Sequence, residues 1–169
     1  MARQIEHRST STHPAERVYA TMVDRDYLDA RMARIGGPGA GVLEYRADPD
    51  GARYRLRHGL DAKDMPAIVR NVLSGDIVIE RTESWTRTEP GRYVGDSRVD
   101  IHGTPASAVG GMRLRDVGTG GSELVVRTEV TVKVPLIGGT IEGIVAEQVM
   151  SLLAAETAFT QRWLEKQQL

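Results

Sequence analysis

The stretch VPLIGGTIEG, residues 134–143, decides how the rest of the chain is read. Gly138 and Gly139 stand side by side, with Gly143 beyond them, between a valine-rich alternating run and a long helical pattern. A phosphate-binding loop has this outline, and so has a plain joint between a strand and a helix. A P-loop needs Lys-Ser or Lys-Thr after its last glycine, to reach phosphates and magnesium. Here Ile144 and Val145 follow Gly143, so no side chain is placed for either task. GGPGAG at 36–41 fails as a dinucleotide fingerprint, because it follows a helical pattern and its spacing is not G-x-G-x-x-G. Residues 134–143 are therefore read as a joint. A glycine inside a helix costs about 1 kcal/mol relative to alanine. Gly138 and Gly139 are thus expected to precede the helix, with Thr140 as N-cap and Glu142 complementing the dipole.

On the N-terminal side of the joint, SELVVRTEVTVKV alternates cleanly. Leu124, Val126, Thr128, Val130, Val132 and Val134 share one face, and Arg127, Glu129, Thr131 and Lys133 share the other. This predicts a long antiparallel strand with one dry face. On the C-terminal side, Ile141, Ile144, Val145, Gln148, Leu152, Ala155, Phe159 and Trp163 recur at helical steps, predicting one long helix.

Further upstream, residues 3–10 read as an edge strand, and Pro14 with Glu16 opens a short helix striped by Val18, Tyr19, Met22 and Val23. A second short helix carries Tyr27, Leu28, Met32 and Ile35 and ends at the glycines of IGGPGAG. In ARYRLRHGLD, Tyr54, Leu56, His58 and Leu60 oppose a solvated stripe of Arg53, Arg55 and Arg57. Glu89-Pro90-Gly91 divides DIVIERTESWT from GRYVGDSRVDI, and Gly118–Gly121 divides SAVGGMRLRDV from the strand at 122–134. The expected order is one strand, two short helices, six strands and the long helix.

Composition narrows the function. With 40% hydrophobic and 27% charged residues, the 169-residue chain is expected to form one globular domain over 1–169. A net charge of -1 gives no field to attract nucleic acid or an anionic membrane. The absence of cysteine excludes disulfides and thiolate metal sites. His7, His13, His58 and His102 lack metal-ligand spacing, and no cofactor is expected. No apolar run approaches the ~20 residues of a membrane span, and MARQIEHRS lacks a signal core, so a cytoplasmic protein is expected.

The order of elements resembles the helix-grip fold of the START-like (SRPBCC) superfamily, which includes birch-pollen-allergen proteins and polyketide cyclases. IEHRSTSTHPAERVYATMVD, YRLRHGLDAKDMP, GGMRLRDVG and KVPLIGGTIEGIVAEQV resemble, in detail, the bacterial family called domain of unknown function 2505. The resemblance implies an α+β fold: a curved antiparallel sheet of about seven strands around a C-terminal helix, with two short helices after the first strand. It also implies a cavity between sheet and helix for a lipid-, polyketide- or sterol-like molecule. It carries over no catalytic motif.

The residues support such a cavity independently. Aromatic residues are few, and Ala106, Ala108 and Gly110 are expected to face inward beside the strand at 122–134, leaving space against the helix. The expected lining is Tyr54, Leu56, His58, Trp85, Met112, Thr128, Val130, Ile141, Val145, Gln148 and Leu152. His58 and Gln148 are polar interruptions of apolar faces and hence anchor candidates, whereas His13 and His102 read as surface and turn residues. Arg81, Glu83 and Trp85 share a strand face that is expected to be solvated, a buried Arg-Glu pair under Trp85 being the alternative, and Glu142, Glu147 and Glu156 are expected to face outward or sideways. In AKDMPAIVRNVLSG, 62–75, a one-sided helix of Met65, Ile68, Val69, Val72 and Leu73 with Asp64 as N-cap reads as a lid. A mostly apolar wall with one or two anchors favours a carrier or sensor. An enzyme of cyclase, aromatase or hydrolase type and a non-catalytic interaction domain are the alternatives, and oligomeric state stays open.

Overall fold

The computed structural model describes residues 2–72 and 76–167. The chain runs β1 (Ala2–Ser11), α1 (Ala15–Met22), α2 (Arg25–Ile35), β2 (Gly41–Asp48), β3 (Gly51–Leu60), a 3₁₀ turn (Ala62–Asp64) and α3 (Ala67–Val72). It continues β4 (Ile77–Glu89), β5 (Arg92–Ile101), β6 (Ala106–Val117), β7 (Gly121–Val132) and α4 (Gly138–Lys166). The strands form one seven-stranded sheet in the order β1-β7-β6-β5-β4-β3-β2, antiparallel throughout. This is the α+β helix-grip architecture, with β2 supplying the strand that the alternation alone does not delimit.

Strand parity sets what faces inward. One cross-sheet row reads Leu56, Arg81, Val99, Ala108, Val130, and the next reads Tyr54, Glu83, Ser97, Gly110, Thr128. A third reads Ala52, Trp85, Gly95, Met112, Val126. Bulges at Val42/Glu44 and Arg87/Glu89 add local twist. At Gly110 the backbones of β6 and β7 leave no room for a side chain, because a Cβ would stand 2.2 Å from the Arg127 carbonyl oxygen of β7.

The short helices are capped from outside themselves or by a turn residue. Pro14 holds the N-cap position of α1 without a side-chain hydrogen bond, and Asp116 Oδ1 accepts instead from Ala15 N–H at 2.8 Å. Asp24 caps α2 by accepting from Tyr27 N–H at 3.0 Å. α1 and α2 lie over one end of the grip, where Tyr19 stacks on Tyr93 with ring centroids 4.2 Å apart. The main core fills that end, with Tyr27, Leu28, Met32, Leu56, Leu114 and Leu164 fully buried or nearly so. A separate small core of Ala106, Val132 and Ile141 closes the other end.

The joint at 134–143 corrects the sequence reading in part. It links strand to helix, but α4 begins at Gly138, behind Ile137, so both glycines lie in its first turn and Thr140 is not the cap. Gly138 is needed there because a Cβ would stand 2.7 Å from the Val132 carbonyl oxygen. Glu142 is buried rather than solvent-facing, and its carboxylate accepts the Val132 N–H at 3.0 Å, satisfying the end of β7. Asp64 sits inside the 3₁₀ turn, which Asp61 caps through Lys63 N–H.

Two substitutions test this account by chemical denaturation. Gly110→Ala is expected to cost about 2–3 kcal/mol, because its Cβ meets backbone that cannot swing away. Gly139→Ala has open space around its Cβ and is expected to stabilise by about 0.5–1 kcal/mol.

Candidate functional site

Between the two cores lies a cavity of about 390 Å³. Its sheet wall comes from β3 to β7, including Ile77, Ile79, Val99, Ile101, Ala106 and Ala108. Its other wall is α4, through Ile141, Ile144, Val145, Gln148, Val149 and Leu152. Met65 and Val69, before and within α3, close part of the rim beside Ile35 and Leu60. Small side chains on β6 face the helix across this space, so the chamber exists because no bulky inward residue fills it.

The inner end of the cavity is polar. Arg81 lines it, and behind Arg81 stands a buried ionic cluster drawn from four elements. Arg81 Nη1 and Nη2 donate to the two carboxylate oxygens of Glu156 on α4 at 2.7 and 3.0 Å. Arg81 Nε lies 2.7 Å from Glu83 Oε1, and Arg31 Nη2 of α2 lies 3.6 Å from Glu156. Tyr54 O–H donates to Glu83 at 3.3 Å, and Trp85 Nε1 donates to the Tyr54 oxygen at 3.2 Å. Burial alone would push the Glu156 carboxyl up, but Arg31 and Arg81 outweigh it and hold it at about 2. On the far side of this cluster a smaller void of about 60 Å³ is bounded by Arg31, Tyr54, Glu83, Trp85 and Thr160.

His58 lies on β3 in the cross-sheet row of Ile79 and Ile101, one row from Arg81, 5% exposed, with its Nε2 buried and without a hydrogen-bond partner. Burial pushes its pKa down to about 4, and the Arg81 guanidinium adds to the effect, so the ring is neutral at ordinary pH. Ser97 and Thr128 also line the cavity, flanking Gly110 in a cross-sheet row two removed from that of His58. Among the described residues no cluster of histidine and carboxylate side chains is arranged to hold a metal ion, and no helix is long and apolar enough to cross a membrane.

Residues 6–164 match the family model described as Protein of unknown function (DUF2505). The chain belongs to the DUF2505 family. Uncharacterized proteins of Mycobacterium bovis and Mycobacterium tuberculosis are 24% identical to it over 155 residues, covering 88% of this chain and 89% of theirs. In fold, this DUF2505 protein is similar to Zhui aromatase/cyclase from a Streptomyces strain, with a TM-score of 0.68, 14% identity, and coverage of 100% and 97% of the two chains. It is also similar to norcoclaurine synthase from Thalictrum flavum, with a TM-score of 0.60, 12% identity, and coverage of 98% and 88%. The latter enzyme has also been solved with dopamine and hydroxybenzaldehyde. At these identities the likeness establishes the helix-grip fold.

The sequence-derived lining of this DUF2505 protein divides into three groups. His58, Met112, Thr128, Ile141, Val145, Gln148 and Leu152 line the large cavity. Tyr54 and Trp85 border the smaller void, because the ionic cluster stands between them and the chamber. Leu56 and Val130 are fully buried in packed surroundings and border neither space. Gln148 is exposed at the edge of the chamber rather than held inside it. In the lid segment, Met65 and Val69 line the cavity and Ile68 is half-buried away from it. The backbone of Val72 ends α3, whereas Leu73 lies outside the described residues.

Three expectations about charge are overturned. Arg81, Glu83 and Glu156 are buried, not solvated, because each neutralises another across the interior. His13, expected at the surface, is buried. Sequence reasoning also missed Arg31, on the inner side of α2. The available signal was parity: Arg81 and Glu83 share the β4 face of Ile77, Ile79 and Trp85, which is otherwise apolar.

These shifts fix a pH dependence of stability. Below pH 6.5 an unfolded His58 takes a proton that the folded chain refuses until about 4, so stability falls with pH across that window by on the order of 3 kcal/mol. Glu156 acts lower: its contribution is full above 4.5 and is lost as pH falls toward about 2. His58→Leu is expected to flatten the urea-denaturation profile between about pH 6.5 and about 4 while keeping the lower limb. An unchanged slope in that window contradicts the burial of a neutral imidazole.

Proposed function

We propose that this DUF2505 protein binds a small, mainly hydrophobic molecule in the cavity between sheet and α4, as a carrier or sensor. The observation that carries the reading is the chamber itself: about 390 Å³ of unfilled space, apolar along its walls, separating two cores that could otherwise merge. Its size falls within the range of small-molecule pockets. Solved proteins of the same fold include two enzymes acting on small organic molecules by name, which is consistent with an interior open to such guests. The ionised groups Arg31, Arg81, Glu83 and Glu156 pair with one another, as expected of a binding wall rather than a reaction centre. One observation favours a second reading, an enzyme of the cyclase or aromatase kind: His58 lines the chamber with its Nε2 buried and without a hydrogen-bond partner.

A ligand of about 20 heavy atoms at ~0.3 kcal/mol each gains roughly 6 kcal/mol, a dissociation constant of tens of micromolar. Titration with an environment-sensitive neutral probe is expected to saturate in that range. Ala108→Phe places a ring in the chamber and is expected to weaken binding at least about tenfold, while leaving the melting temperature equal or higher. Saturable binding that survives this substitution unchanged counts against the cavity as the site.

We propose further that Met65 and α3 form the movable side of the entrance. Amide exchange at residues 67–72 is then expected to be faster than along β7 and to slow when a ligand is bound. Exchange as slow as that of β7, with or without ligand, makes α3 a fixed wall.

A further inference from the structure

The ionic cluster is closed on its α4 side and incomplete on its α2 side. Arg81 gives Nη1 and Nη2 to Glu156 and sets Nε 2.7 Å from Glu83 Oε1. Arg31 is only 5% exposed, yet it approaches Glu156 no nearer than 3.6 Å, through Nη2. That distance makes an ion pair but is too long for a hydrogen bond. Among the described residues, Arg31 Nε and Nη2 have no hydrogen-bond partner. Glu83 Oε1 has none either, because it is not aligned with the Arg81 N–H beside it. Glu83 is 3% exposed, and its other oxygen accepts from Tyr54. Leaving a buried charged group without its hydrogen bond costs more than leaving a neutral one.

Arg31 and Glu83 both border the void of about 60 Å³ behind the cluster, and neither borders the large chamber. They also lie within electrostatic reach of each other. Burial opposes the Arg31 charge, but Glu156 foremost, with Glu83 contributing, holds its pKa above the ordinary value. A buried water needs roughly 10–15 Å³ of such space and two to four polar partners. This void offers the space, guanidinium donors on one side and a carboxylate acceptor on the other. An anion would meet two carboxylates in a cluster whose arginines are already balanced by them. An apolar group would leave the donors unmet.

We infer that the void holds an ordered water at its Arg31 end, accepting from the Arg31 guanidinium and donating to Glu83 Oε1, and that this bridge fixes α2 to β4. It does not depend on what the chamber binds. Its consequence reaches the chamber all the same. Ile35, Gly36 and Gly37 line the chamber about one helical turn beyond Arg31, which makes Arg31 a positioning residue for that part of the wall.

The test begins with a crystal structure of the wild-type protein at a resolution that shows ordered water. Water is expected within hydrogen-bond distance of an Arg31 nitrogen and of Glu83. In solution, oxygen-17 relaxation dispersion is expected to report a water that outlasts molecular tumbling, and Arg31→Met is expected to remove that contribution. The same substitution is expected to speed amide exchange over residues 32–36 at least about fivefold, with β7 unchanged. Arg31 bonded directly to a carboxylate, or a molecule other than water in the void, overturns the inference. So does a slow-water signal that Arg31→Met leaves intact. Loss of the water without faster exchange at 32–36 overturns the hold on α2. If Arg31→Met fails to fold, the wild-type crystal structure alone decides whether the water is there. None of these outcomes bears on binding in the chamber.

Discussion

The bidentate pair between Arg81 and Glu156 is the contact on which the arrangement hangs. It joins the middle of the sheet to the middle of α4 across the interior, and its two parallel hydrogen bonds allow little change of angle or register. Such a pair adds little net stability, because each charge loses its water, but removing one partner strands the other and is costly. Its effect is therefore on position. Once α4 is pinned there, its N-terminal half must pass over β5 to β7 at a height set by the pair. The small residues of β6 then leave the chamber unfilled. Glu83, Tyr54 and Trp85 continue the polar connection along β4 and β3, and Arg31 carries it to α2. Sheet, long helix and one short helix are thus tied at one point.

The same cluster gives the interior its asymmetry. Toward α1 and α2 the space is packed with tyrosines, leucines and Trp85; toward the helix joint it is open. A ligand chamber that stopped at a packed apolar floor would select by size alone. Here the floor is built of paired charges, Arg81 with Glu156 and Glu83. Their opposite signs offset part of the cost of burying them, so the floor is polar while its formal charges cancel.

Most of the fold was legible in the sequence because period-two and period-3.6 patterns are local. The alternation of residues 122–134 gave β7 its inner face, and the stripe of Ile141, Ile144, Val145, Gln148 and Leu152 marked the side of α4 that borders the chamber. What the pattern hid was the more deeply buried side of α4, where Glu142, Ala146, Leu153, Glu156, Thr160 and Leu164 lie. Three of these six are polar, so they do not read as core. Each is buried beside a partner on another element: the Val132 N–H ten residues back, and Arg81 and Tyr27 from far along the chain. A satisfied buried charge looks, in one dimension, like a surface charge. The candidate site shared this limit. Apolar lining residues could be inferred from parity, but the division of Tyr54 and Trp85 from the chamber depends on an ion pair spanning 75 positions.

An unfilled chamber is also stored volume. Unfolding returns that volume to the solvent, and hydrostatic pressure favours whichever state occupies less space. The protein is therefore built with a mechanical weakness at the hollow end of its interior. Temperature and urea probe the packed end with its aromatic core, whereas compression acts first on the hollow end. Occupancy and compressibility become opposed variables: a guest would stiffen the molecule only for the fraction of time it fills the chamber.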